Sequence, residues 1–172
     1  MVQYDVEIPF RSDETFDQFV GYRYITNSIT GQQEEYDLVN IFVDLCANSR
    51  FRRQFIDTFC LVCGSVFHED HVAAVVDSLV ADMKGMMALE GLSPDASAKM
   101  IKNHCNTSRM ETMVAKMQNF PGLKMSGMQF QYLYFSASDE SARLAFNGIP
   151  VPTNKFGGKA YGPVTLRVDV PL

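Results

Sequence analysis

The chain contains no run of about 18 apolar residues, so no segment of it reads as a membrane-crossing helix. It has no basic surplus either. Fifteen Lys and Arg against twenty Asp and Glu give a formal net charge of -5, which excludes a general attraction to phosphate backbones or anionic membranes. Four cysteines in 172 residues are too few for a disulfide framework. No G-x-S-x-G elbow, Walker loop or glycine-rich dinucleotide loop occurs, and there are no repeats or low-complexity tracts. The opening "MVQYDVEIPF" lacks the basic start and apolar stretch of a signal peptide.

What remains is an ordinary globular composition, 47% hydrophobic and 20% charged, enough for one domain or a domain with a small appendage. In the opening segment Val2, Tyr4, Val6 and Ile8 alternate with Gln3, Asp5 and Glu7, the pattern of a strand. A chain that opens inside a strand is expected to be missing what came before it. Residues 11–33 read as a polar, turn-rich loop with one short helix around 14–20. From Glu34 the period turns helical, with Leu38, Ile41, Phe42 and Leu45 on one face and an end near Asn48.

The stretch "NSRFRRQFIDTFC", residues 48–60, sets three arginines among three phenylalanines. Phe51, Phe55, Phe59, Val62 and Val66 follow helical spacing, and Arg50, Arg53, Gln54 and Asp57 fall away from that stripe. The rings are therefore expected inside and the guanidinium groups in water. Base stacking needs exposed rings, so no nucleic-acid partner is expected. A helix over about 69–87 follows, with Val72, Val76, Leu79, Met83 and Met86 as its stripe. Ser93-Pro94 starts another. "SRME" at 108–111 reads as a capping box for a third, striped by Met110, Met113, Met117 and Phe120. The ten methionines are read as core, with an adaptable groove as the alternative.

After residue 125 the period becomes two. "MQFQYLYF" alternates, Asn147-Gly148 marks a hairpin whose outgoing arm, with Pro150 and Pro152, is an edge strand, and "PVTLRVDVP" alternates again. "FGGKAYG" reads as a turn region. These pieces form a small β unit that needs something to pack on.

Candidates for chemistry are few. Cys60 and Cys63 make a C-x-x-C followed by His68 and His71, a spacing far tighter than that of zinc fingers. Packed thiols and a solvated histidine pair at a helix entry are favoured over a metal site. Asp5 and Glu7 lie at i, i+2, on one face of a strand. Two such carboxylates suit Mg²⁺ held together with phosphate oxygens. The plainer reading is the wet side of an amphipathic edge strand.

"NSRFRRQFIDTF" resembles the N-x-x-F-R-x-x-F helix of the CotH family of bacterial spore-coat protein kinases and their secreted relatives, matched by Asn48, Phe51, Arg52 and Phe55. "HVAAVVDSLVADM" is similar to the helix that follows there. "FNGIPVPTNKFGGKAYGPVTLRVDVP" is similar to a β extension after the kinase region. The resemblance covers roughly residues 35–172. It implies an α+β fold: a helical bundle over 1–121 like the C-lobe remainder of an atypical kinase, with an N-terminal strand, and a small antiparallel β extension over 126–172. It also implies Mg²⁺ and ATP as cofactors, a protein substrate in a spore coat or another extracytoplasmic surface assembly, and Asp5 as metal ligand in a "YDVEIPF" segment. Glu7 stands where the family usually has Asp. The nucleotide-gripping lobe and catalytic Asp segment are expected upstream, so the 172 residues alone are expected to be inactive. The alternative is a non-catalytic module that docks a coat or surface protein.

Overall fold

The computed structural model describes residues 24–26, 28–35, 37–139 and 141–170. Among them, helices and small antiparallel sheets make an α+β chain, as the periodicities imply. The expected N-terminal strand and the short helix around 14–20 lie outside the described residues. The chain forms two compact units, Met1–Ile56 with Ala115–Gly127, and Asp57–Val114 with Met128–Leu172. No helix among the described residues is long and apolar enough to cross a membrane.

The first unit begins, among these residues, with a hairpin where a loop was expected. Strand β1 (Tyr24–Thr26) pairs antiparallel with β2 (Gln33–Glu35), Ile25 opposite Glu34. Gly31 in the connection has φ +69°, a conformation that glycine adopts without the usual steric cost. Helix α1 (Asp37–Leu45) follows. Its buried residue is Val39, while Ile41 and Leu45 are exposed. Of the face expected from the periodicity, Phe42 packs on other rings while Ile41 and Leu45 stay uncovered. Helix α2 (Ser49–Leu61) starts where expected. Asn48 caps it: its Oδ1 accepts from the backbone N–H of Arg50 (2.8 Å) and Phe51 (3.2 Å). The expected stripe is only partly borne out: Phe51, Phe55, Phe59, Val62 and Val66 are half-buried, and the buried residues are Ile56, Cys60, Leu61 and Asp57, which was expected to fall away from the core face. Phe51 and Phe55 do join a ring cluster. Phe42 meets Phe51, Phe55 and Phe120 at centroid separations of 6.2, 5.1 and 6.1 Å.

Two of the three arginines depart from the expectation, since Arg52 and Arg53 are both half-buried. The Arg52 guanidinium is half-buried and donates to the carbonyl oxygens of Cys46 (2.7 Å) and Ala47 (3.0 Å). Carbonyls at a helix C-terminus have no intrahelical partner, and a cation is the natural donor there. Met117, Phe120, Leu123 and Met125 are buried in the same unit. The 3₁₀ turn Pro121–Leu123 ends the helix that carries Met117.

In the second unit the end of α2 runs into a π-helical turn, Val62–Val66, with Cys63, Gly64 and Ser65 buried. Helix α3 (Glu69–Leu89) is opened by His68, whose Nδ1 accepts from Asp70 N. Val72 and Val76 are buried, but Leu79, Met83 and Met86 are exposed, so the core stripe expected along α3 covers only its first half. Helix α4 (Asp95–His104) begins after Ser93-Pro94, as expected, and the Ser93 hydroxyl accepts from Asp95 N at 3.2 Å. It runs beside α3, tied by an ion pair between Lys102 and Asp77. Helix α5 (Thr107–Gln118) starts one residue before the expected capping box. Asn106 Oδ1 accepts from Arg109 N at 2.9 Å and Glu69 Oε2 accepts from Thr107 N at 3.1 Å, so Asn106 takes the role assigned to Ser108.

The β part holds two sheets. Strand β3 (Phe130–Ser136) pairs with β6 (Lys155–Tyr161), and β4 (Arg143–Phe146) lies between β5 (Ile149–Pro150) and β7 (Leu166–Asp169). The Asn147-Gly148 hairpin is present, both residues at positive φ (48° and 80°), as a type I′ turn demands. Asn147 also bonds the residue just before β7: its N donates to Thr165 O at 2.9 Å and its Oδ1 accepts from Thr165 N at 2.8 Å. "FGGKAYG" is strand where a turn was expected.

The core of this unit is Leu61, Leu144, Phe146, Val151, Phe156 and Ala160, with Leu133 and Phe135 packed against it. The Phe156 ring stacks on Phe135 at 5.2 Å and on Phe146 at 5.4 Å. The di-glycine explains how the π turn sits on this sheet. A Cβ on Gly64 would lie 2.6 Å from the Phe156 ring, and a Cβ on Gly158 would lie 3.4 Å from Gly64 Cα. Glycines inside a strand mark a close backbone approach.

Candidate functional site

Asp5 and Glu7, the expected metal ligands, lie outside the described residues. Among the described residues a groove lies in the second unit. The end of α2 contributes Cys60 to it, the π turn Cys63 and Gly64, α5 Thr107 and Glu111, and the β3–β6 sheet Tyr132, Tyr134 and Lys159.

Strand alternation builds the aromatic side of the groove. Leu133 and Phe135 face the core, so Phe130, Tyr132 and Tyr134 share the other face. They are 48%, 53% and 74% exposed. Lys159 lies opposite Tyr132 in the ladder, and its ammonium sits 4.8 Å from the Phe130 centroid and 5.5 Å from the Tyr132 centroid. These are cation–π distances. Tyr161, opposite Phe130, is buried, and its phenol is pushed up to about 12, first by burial and then by Cys60 and Tyr132.

Cys63 is a poor nucleophile. Burial pushes the Cys63 thiol up to about 12, and the thiolate is the reactive form. Cys46, Cys60 and Cys63 are buried free cysteines, packed as small apolar groups. A second, polar cluster lies at the start of α3. Lys155 Nζ meets Asp70 Oδ2 at 2.6 Å, His68 Nδ1 lies 3.7 Å from the same oxygen, and the Ser65 and Thr153 hydroxyls are 2.5 Å apart. Lys155 holds the Asp70 carboxyl below its ordinary value. Among the described residues no three His, Cys, Asp or Glu side chains converge as a metal site. The arrangement can therefore bind by stacking and cation–π contact. It sets no activated nucleophile beside a base.

Sequence reasoning missed the open aromatic face. Both parities of "FQYLYF" carry apolar residues, so alternation alone does not say which side is buried. The signal that could have found it lies on the partner strand, where Phe156 and Ala160 share one face and Lys159 takes the other. Comparison with protein-family models, curated proteins and solved structures found no match.

Proposed function

We propose that this chain is the helical and β portion of a CotH-like kinase, whose activity is Mg²⁺-ATP-dependent phosphorylation of a hydroxyl on a spore-coat or other extracytoplasmic surface protein. Asp5 is the metal ligand in this reading, with Glu7 beside it, and both assignments rest on the resemblance. What supports the reading is the work done by the four matching residues. Asn48 caps α2, Arg52 closes the end of α1, and Phe51 and Phe55 build the ring cluster on Phe42. A motif whose every member holds one helix–turn–helix together is a fold signature rather than a catalytic one. Phosphoryl transfer needs positioned phosphates, a metal clamp and a group that orients the nucleophile. The 172 residues alone carry at most part of the clamp.

A γ-phosphate transfer assay tests this on the 172-residue chain and on the full product of the reading frame that encodes it. The chain alone is expected to stay at buffer background. The full product is expected to transfer phosphate with Mg²⁺-ATP and to lose at least about a hundredfold in rate with Asp5→Asn. Undiminished transfer in that variant removes Asp5 from the mechanism, and absence of transfer by the full product removes the kinase reading. The exposed aromatic face of β3 favours a second reading, a non-catalytic module that docks a coat or surface protein.

A further inference from the structure

Helix α3 begins with an uncommon acceptor. N-caps are ordinarily Ser, Thr, Asp or Asn, whose oxygens accept a hydrogen bond throughout the neutral range. α2 and α5 follow that rule with Asn48 and Asn106. At α3 the acceptor is an imidazole nitrogen: His68, extended at φ -62° and ψ 135°, takes the Asp70 N–H on Nδ1 at 3.4 Å. A ring nitrogen accepts only while it carries no proton. The capping ring is therefore neutral, with its proton on Nε2.

The ring is held in place. Its side chain is 11% exposed, and Nε2 lies 3.2 Å from where a Cβ on Gly157 would stand, beside the Tyr134 ring. The imidazole thus fills the space over a glycine of β6 while its other nitrogen holds α3. The groups around it divide by charge. Asp70 and Glu111 are the carboxylates, Lys155 and Lys159 the ammonium groups, and His71 the other imidazole. Tyr132, Tyr134, Cys60 and Cys63 are its neutral neighbours. Of these, Asp70 is placed to answer a proton on Nδ1, since its Oδ2 is 3.7 Å away. That oxygen is already held by Lys155 Nζ at 2.6 Å.

We propose that His68 is a pH-sensitive latch between α3 and the β3–β6 sheet. Neutral, it caps α3 and leaves the Asp70 carboxylate to Lys155. Protonated at Nδ1, it gives up the cap and donates to Asp70 Oδ2 in place of Lys155. Two effects fix the direction. A protonated Nδ1 meets the Asp70 N–H donor to donor, and positive charge is disfavoured at a helix N-terminus, so the cap does not survive the proton. The carboxylate of the same residue is then the acceptor within reach. The proton comes from water and the Lys155 ammonium returns to it, so only hydrogen bonds are exchanged. The latch does not depend on the kinase reading.

NMR titration of the 172-residue chain from about pH 8 to about pH 5, the window in which imidazoles take up a proton, tests it. The protection factor of the Asp70 amide is expected to fall about fivefold as the His68 ring signals titrate, and the Lys155 side-chain signals are expected to move with them. His68→Asn supplies an amide oxygen that accepts at both ends of the window, so its Asp70 amide should stay protected throughout. His71→Gln removes the neighbouring imidazole and should leave the wild-type response intact. An Asp70 amide whose protection holds while His68 titrates overturns the proposal, as does a pH response that survives His68→Asn or disappears in His71→Gln. Lys155 signals that stay still while the cap opens overturn the exchange of partners.

Discussion

Arg52 Nη1 donates to the Cys46 carbonyl oxygen at 2.7 Å, reaching back from one helix to the end of the helix before it. The second bond, to Ala47 O, comes from the same nitrogen. Replacing Arg52 by Ala leaves both carbonyls without their charged donor and should cost about 1.5–3 kcal/mol, the usual range for a hydrogen bond to a charged group. Lysine should recover only part of this, because an ammonium on a flexible stem is less well placed than a planar fork. Urea midpoints of the three proteins measure it, and equal midpoints for wild type and Arg52→Ala would sink it.

Gly64 is the second test, since its missing Cβ is where the Phe156 ring edge lies. Gly64→Ala should destabilise by about 1–3 kcal/mol through overpacking. Phe156→Leu removes the ring that the new methyl would strike, so the double variant should be more stable than the sum of the two single losses. Strict additivity in denaturant unfolding would show that the π turn does not press on that ring.

Asp70 gives a pH signature. Its carboxyl is held below the ordinary value of 3.8, first by the hydrogen bond and charge of Lys155. A depressed folded pKa contributes stability that is present above the unfolded value and is lost as pH falls through the folded one. The melting temperature should therefore drop as pH is lowered through and below about 4, and Asp70→Asn should flatten that part of the curve. Asp70 is exposed, which keeps the effect small. A variant curve parallel to wild type across that window would exclude the pair as a contributor.

Thiol labelling separates the four cysteines. Cys46, Cys60 and Cys63 are buried and Cys105 is half-buried. Burial raises the Cys46, Cys63 and Cys105 thiols, offset only in part by Arg52 at Cys46 and by Arg109 at Cys105. At pH 8 in the native state Cys105 should react first with an aromatic disulfide reagent, and the other three only on unfolding. Peptide mapping reads this directly. Fast native labelling of Cys63 would contradict its burial against the sheet.

Local chemistry made much of the fold legible. Asn48 and Ser93 announce helix starts because an amide or hydroxyl acceptor has a defined use there, and Asn147-Gly148 announces a hairpin because both residues tolerate positive φ. The stripe in α3 was legible as a helix but not as a burial pattern. Leu79, Met83 and Met86 continue the spacing of Val72 and Val76 and are nonetheless exposed, since periodicity records which residues share a side and not whether anything covers it. "FGGKAYG" failed in the opposite way. Two glycines look like a turn until another backbone needs their space, and that backbone is Gly64, far away in sequence.

The amino-acid order by itself determined the α+β class, most helix and strand positions, and the caps and hairpin that bound them, because those depend on neighbours within a few residues. Only the tertiary structure decided that Arg52 turns to carbonyls instead of water, that Phe156 is held between Phe135 and Phe146, and that Phe130, Tyr132 and Tyr134 stay on the open side of β3. Each of these is a choice between faces that local propensity leaves equal. It is settled by which distant surface arrives to bury one of them.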